Sequence, residues 1–288
     1  MKSSLTIPTI TPGLALACAL SFTSLAGAAT VKRTTLIAEG VDGNPFFDAA
    51  AELGGTTATS LWDGLSGSDH DPLVYGSFPG MSPWPSAIAP NDTAGVTTTT
   101  GLMKTENGAS GGFYPASASI YYGGFSSDIN VDGGTAQVQV TSPLAGVQSV
   151  IFQIQIGEAL TYDFFNGVLP SLSINGNDFE AADFSEITSR INNGTVVMPT
   201  GPGGTNEDVP VYINTYALQW DLSEVVGPIT SLDIEFTGVQ HAQLYGLQLD
   251  QSANTHSANL LSAYAIPEPQ SALLCCGAAL LFLRRKRL

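Results

Sequence analysis

The chain has 288 residues, 25 acids against nine lysines and arginines, and a formal net charge of −16 at pH 7. Between residues 29 and 266 the imbalance sharpens, because the only bases there are Lys32, Arg33, Lys104 and Arg190, against every acid but Glu268. So acidic a body repels nucleic acid and anionic lipid surfaces. The three cysteines, Cys18, Cys275 and Cys276, leave that body no disulfide, thiol nucleophile or cysteine-based metal site.

In chain order, Lys2 supplies a small positive charge and residues 13–20 an apolar core. Ala26-Gly27-Ala28 is a small-x-small cleavage site. Together these form a secretory signal peptide over residues 1–28, with Ala26 and Ala28 read by signal peptidase. Ala15 stands where a lipoprotein signal would carry leucine, three positions before Cys18. Asn44-Pro45 is an N-cap and N1 pair, and Gly54 would close the short helix it starts. Residues 54–112 are rich in Gly, Pro and Thr. They predict long loops and edge strands packed on a core, because Trp62, Tyr75, Phe78 and Trp84 need burial.

Period-2 alternation then recurs. Residues 137–140 are a weak strand. In residues 150–156, Phe152, Ile154 and Ile156 point one way and Gln153 and Gln155 the other. Residues 172–174 and 209–213 are further weak strands. Tyr216, Leu218 and Trp220 form an inward row, as do Leu232, Ile234 and Phe236, and Tyr245, Leu247 and Leu249. One polar face per strand predicts antiparallel sheets that each keep one side in water. Asp183-x-x-Glu186 has the form of a capping box, and Asn193-Gly194 would end the helix it opens. The expected fold is all-β: a single two-sheet antiparallel sandwich over residues 29–253, jelly-roll-like, with long loops and one or two short helices. Residues 254–266 look like a linker.

Three features bear on chemistry. Asp128, Asn130, Asp132 and Gly133 match the first half of a calcium loop, in which alternate oxygen side chains converge. Gln139 stands where that loop needs a bidentate Glu, so Asp-Gly reads equally as a hairpin turn. Ser68-Asp69-His70-Asp71 has the composition of a metal or base cluster and equally that of a solvated loop. Trp62, Trp84, Tyr121, Tyr122 and Tyr212 are candidates for a sugar-binding surface, or else core anchors. His241 reads as structural and His256 as part of the linker. No HExxH or GxSxG motif occurs. No catalytic residue and no cofactor is assigned, calcium at Asp128, Asn130 and Asp132 being the one alternative.

The chain closes on Pro267-Glu268-Pro269, an apolar stretch over residues 272–283, and the basic cluster Arg284, Arg285, Lys286 and Arg287. The prolines hold their stretch extended, ready for a processing enzyme to grip. As a helix the apolar stretch would reach ~18 Å, short of the ~30 Å hydrocarbon core. With Ser271 and the basic stems it spans by thinning the bilayer locally. The cations favour the cytoplasmic side. These parts, in this order at the C-terminal end, resemble the PEP-CTERM sorting signal, the exosortase substrate tail of Gram-negative bacteria. The resemblance covers residues 266–288 only. It implies recognition by a membrane-bound exosortase, cleavage near the triplet, and export tied to extracellular polysaccharide. It implies nothing about the fold upstream.

The sequence thus predicts an exported, exosortase-processed protein of the cell surface or extracellular matrix, with a non-catalytic structural or adhesive sandwich. Its only membrane contact would be the tail before processing. A carbohydrate-binding module is the second expectation and a polysaccharide-acting hydrolase or lyase the third.

Overall fold

A computed structural model describes residues 46–67, 70–117, 119–199 and 206–261. Ala26 and Ala28 of the signal peptide lie outside the described residues. So do Asn44 and Pro45, and so do Pro267, Glu268, Pro269, Arg284, Arg285, Lys286 and Arg287 of the tail.

Two antiparallel sheets face each other, as the alternating strands predict. The larger runs β10 (Phe184–Pro199), β11 (Asn206–Asp221), β7 (Ser149–Gly157), β13 (Gln243–Ser252), β1 (Thr57–Trp62), β2 (Asp92–Gly95). On β13 it also carries β5 (Ile120–Tyr122), and on β5 the short β4 (Phe113–Pro115). The smaller sheet runs β3 (Thr99–Asn107), β6 (Asp132–Ser142), β12 (Leu232–Val239), β8 (Ser171–Ile174), β9 (Glu180–Ala181).

The core is built from the predicted inward rows. Phe152 lies opposite Leu218 on one side and Leu249 on the other, and Ile154 opposite Tyr216 and Leu247. From the smaller sheet, Ile234 lies opposite Val138 and Leu172. Phe152 and Phe236 meet across the layers with ring centroids 6.0 Å apart. Each such side chain contributes roughly 1.5–3 kcal/mol of hydrophobic burial. One end of the sandwich is filled by a run of rings: Tyr75 on Trp84 at 4.7 Å, Trp84 on Phe113 at 5.3 Å, Phe113 on Tyr122 at 4.6 Å. Lys104 is buried at that end and donates from Nζ to Pro79 O at 2.8 Å. Burial pushes its pKa down to about 8.

Five expectations are corrected. The helix opened by Asp183 does not form. The segment is β10, zipped along its length to β11, with a bulge between Asn192 and Thr195. Its β-branched residues (Ile187, Thr188, Ile191, Thr195, Val196, Val197) and a partner strand outweigh the local cap signal. The first helix begins later than expected. α1 (Ala49–Leu53) is capped by Asp48, whose Oδ1 accepts from Ala51 N at 3.0 Å. Residues 54–112 hold the expected edge strands, β2 and β3, but also the interior strand β1 and a second helical turn, α2 (Pro72–Tyr75), capped by Asp71. Tyr245 is not in the inward row. A bulge between Leu244 and Gly246 puts Leu244 there instead, opposite Ile156.

The fifth correction is the largest. Only the smaller sheet keeps its polar face towards water, where Gln137 donates to Glu235 at 2.8 Å and is half-buried. The polar face of the larger sheet is covered by the two ends of the described chain. Gln153 holds residue 47 at both backbone groups: it accepts from Phe47 N at 3.1 Å and donates to Phe47 O at 2.9 Å. Gln219 does the same for the other end. It donates to His256 O at 3.1 Å and Ala258 O at 2.8 Å, and accepts from Leu260 N at 2.9 Å. Part of the expected linker, residues 254–261, is therefore a strap on the sheet. The two ends also join each other, since Asn254 Nδ2 and His256 Nε2 both bond Leu53 O, at 3.2 and 2.7 Å. Ile151, between Gln219 and Asp250 in the ladder, is fully buried, as are Phe46, Ala49 and Leu53. Phe46 can lie flat on the sheet because Gly246 has no Cβ; one would stand 3.3 Å from its ring.

Two predictions follow from this face. Gln219→Ala removes three buried hydrogen bonds, each worth about 1 kcal/mol net. It should lower stability by roughly 2–4 kcal/mol in urea melts and open residues 254–261 to limited proteolysis. A variant as stable and resistant as the parent would show that Gln219 does not hold the strap.

Asp250 is buried beside the same face, and burial pushes its pKa up to about 6 from the ordinary 3.8, against hydrogen bonds from Thr59 and Gln248. A raised folded-state pKa means the folded chain binds more proton than the unfolded one between those values. Stability from this group is therefore full below pH ~4 and lost as pH rises through ~6. Asp250→Asn should raise neutral-pH stability by about 1–3 kcal/mol, with the gain shrinking to nothing near pH 4. Thermal melts across pH 4–8 check it.

Candidate functional site

The calcium-loop residues are placed as a turn. Asp132 Oδ1 accepts from Gly134 N at 2.8 Å as β6 begins. Asn130 has a positive φ of 53° and faces away, pairing with Asn166 through both ends of its amide at 2.9 and 3.2 Å. Asp128 is exposed. Among the described residues no group of three or more His, Cys, Asp or Glu side chains is gathered to hold a metal ion. Of the Ser-Asp-His-Asp run, Ser68 and Asp69 lie outside the described residues. His70 Nε2 bonds Gly64 O at 3.0 Å, and Asp71 caps α2.

The predicted aromatic set is not brought together. Trp62, Trp84 and Tyr122 are core residues, for the reason that favoured core anchors: rings of that size are buried before they are displayed. Tyr212 is half-buried at the β10–β11 pair, with the Arg190 guanidinium 3.8 Å over its ring.

Arg190 belongs to a polar network around a tight turn. Glu158 Oε1 accepts from Arg190 Nη2 at 3.1 Å and Asn214 Nδ2 at 2.9 Å, and its Oε2 from Tyr212 N at 3.0 Å. Asp163 Oδ2 accepts from Asn214 Nδ2 at 3.0 Å and Tyr216 OH at 2.6 Å, and its Oδ1 from Phe164 N at 2.8 Å. The two carboxylates share one amide, and all four of their oxygens are engaged. Burial, then the Asp163 charge, raises the Tyr216 phenol well above its usual range, so it stays a donor. This network fastens the turn to β11.

A different surface does offer chemistry, and it surrounds Tyr121. The turn from β12 to β13 closes with Ala242 N on Val239 O at 3.1 Å. Its third residue, His241, has φ 73°, a position that glycine usually fills in a type II turn. The His241 ring is exposed and lies 5.9 Å from that of Tyr121, with Tyr121 OH bonded to Nδ1. Gln240, beside it, is buried and wrapped by the loop that follows β5. It donates from Nε2 to Ser126 O at 2.8 Å and to His241 Nε2 at 2.8 Å, while its Oε1 accepts from Ser110 Oγ and Ser126 N. Glycine is required in that loop, because a Cβ on Gly124 would stand 2.2 Å from the Gln240 amide carbon. A Cβ on Gly123 would collide with the Phe78 ring. Phe125 follows, 82% exposed, and meets Phe78, 36% exposed, edge-on at 5.5 Å.

Of this surface, the sequence reading named Tyr121 as a candidate, placed Phe78 in the core and took His241 as structural. Phe125 and Gln240 were missed. The available signal was a phenylalanine directly after two glycines and before two serines, a site where nothing local can bury it. Elsewhere, a shallow hollow of about 190 Å³ lies between residues 165–171 and β12. It is smaller than the ~300–1,000 Å³ typical of small-molecule sites.

No family model, no curated protein and no solved structure matches the chain.

The hydrogen bonds at Asp132 generate a test. Asp132→Ala should lower stability by about 1 kcal/mol through the lost bond to Gly134 N, by the same amount in calcium and in chelator. A calcium-induced rise in melting temperature that the parent shows and the variant lacks would make the run a cation site instead.

Proposed function

We propose that the protein is exported and exosortase-processed, and works at the cell surface or in the extracellular matrix of a Gram-negative bacterium. Its sandwich serves there as a non-catalytic structural or adhesive unit. The reading starts from the two targeting segments, the signal peptide over residues 1–28 and the Pro-Glu-Pro, apolar and basic tail over residues 267–288. The structural observation that supports it is the C-terminal strap. Residues 254–261 finish the larger sheet's cover, and Leu261 is buried against the body. A chain cut after that point keeps every contact described above, so removal of the tail leaves the folded body whole. The acidic body suits a hydrated matrix, where its charge opposes association with anionic surfaces. Partners in this scheme are signal peptidase, exosortase and extracellular polysaccharide. The second reading, a carbohydrate-binding module, draws on the exposed Phe125 and Phe78 rings.

Intact-mass measurement of material from the native host tests the scheme. The mature chain should begin near Ala29 and end near Pro267-Glu268-Pro269. Replacing Arg284, Arg285, Lys286 and Arg287 by alanine should block that trimming. A mature mass that retains residues 284–288 in the parent would overturn the proposal.

A further inference from the structure

We infer that the surface formed by Tyr121, His241, Phe78 and Phe125 is a binding site for neutral glycan, with Tyr121 as its oriented hydrogen-bond donor.

The argument begins with the Gln240 amide, whose orientation is fixed by backbone. Its nitrogen faces the Ser126 carbonyl at 2.8 Å and its oxygen the Ser126 N–H at 3.4 Å. A carbonyl can only accept, so the group 2.8 Å from His241 Nε2 is the amide NH2. His241 Nε2 must then accept. In a neutral imidazole the proton sits on the other nitrogen, Nδ1. Nδ1 bonds the Tyr121 phenol, so the ring donates and the phenol oxygen accepts. The phenol's own proton is consequently unused by its neighbours and points outward. Ser126, Gln240, His241 and Tyr121 form one chain of bonds whose last member presents a donor to solvent.

The apolar half of the site adjoins it. Phe78 packs where a Cβ on Gly123 would be, two residues on from Tyr121, and Phe125 stands edge-on to Phe78. Most of the Phe125 ring stays in solvent beside this pair, at 82% exposure. Exposed rings grouped this way mark contact surfaces. A ring face beside a fixed donor matches a pyranose, whose C–H face packs on an aromatic ring while a hydroxyl oxygen accepts. The body's excess of acids disfavours polyuronates and other anionic chains, which makes a neutral sugar the occupant. His241 supports this from the backbone side. A non-glycine residue at φ 73° is strained, and such strain gathers where the side chain is needed.

The inference deepens the carbohydrate-binding reading and is independent of export. A purified chain that binds sugar without ever being trimmed supports the site alone, and a trimmed chain that binds none supports processing alone. The experiment is calorimetric titration of the purified full-length protein with short neutral gluco-, manno- and galacto-oligosaccharides, and with a polyuronate as the charged comparison. At least one neutral series should bind and the polyuronate should not. Phe125→Ala should weaken binding about tenfold or more, and Tyr121→Phe about 3–10-fold, both with unchanged melting temperature.

His241→Gly separates function from folding. It relieves the positive φ, so stability should hold or rise, while affinity falls because the Tyr121 phenol loses the His241 N–H that orients its proton. Three results would overturn the inference. One is no binding to any neutral series. Another is binding that Phe125→Ala and Tyr121→Phe leave unchanged. The third is self-association of the parent that Phe125→Ala abolishes, which would make a second copy of the chain the occupant.

Discussion

A carboxamide buried without partners costs roughly 1–3 kcal/mol, and the larger sheet buries several on its outer face. That constraint organises the fold. Gln153, Gln219 and Gln248 have all given up water, so backbone from elsewhere must come to them. The two ends of the described chain supply it. Residue 47 meets Gln153 as one strand meets another, N–H to oxygen and carbonyl to amide nitrogen, and residues 256–260 meet Gln219 likewise. A glutamine so used acts as a detachable piece of ladder. It lets an irregular segment lie on a sheet face with its peptide groups satisfied. Ile151, Phe46 and Leu53 then fill the space between. The face is polar in sequence and buried in the structure, with Gln153 and Gln219 each bonded to backbone through both amide atoms, while the buried Gln155 amide nitrogen is left without a partner.

This also explains what the sequence displayed and what it concealed. The inward rows were legible because Phe152, Ile154, Leu232, Ile234 and Phe236 alternate strictly, and an antiparallel sandwich is the ordinary way to bury one such face. The outer face was not, because glutamine has the same polarity whether it meets water or a peptide group. Only a partner tens of residues away decides between them. The Asp183 segment misled for a related reason: a capping box is local, whereas the pairing of β10 with β11 is not, and the latter involves far more bonds. The Tyr245 row failed by one residue because a bulge leaves no mark in an alternating pattern.

The surface around Tyr121 shows the same limit. Trp62, Trp84 and Tyr122, which could serve as display residues or core anchors, are core, while Phe78, expected to be buried, is partly exposed. Ring size favours burial on average, but the decisive fact is what stands beside each ring. Glycines at 123 and 124 admit Phe78 and Gln240 so closely that Phe125 has no room beneath the loop. Nor could the donor state of Tyr121 be read from composition. It follows from the order of four bonded groups that the chain gathers from two separate segments.

The docked strap also sets a length. The chain is fastened as far as Leu261, and in the sequence residues 262–266 lie between it and Pro267. At no more than ~3.6 Å per residue, that stretch reaches about 18 Å. Release of the strap would lengthen that reach by the residues it holds, so the grip of Gln219 limits how far Pro267 can stand from the body.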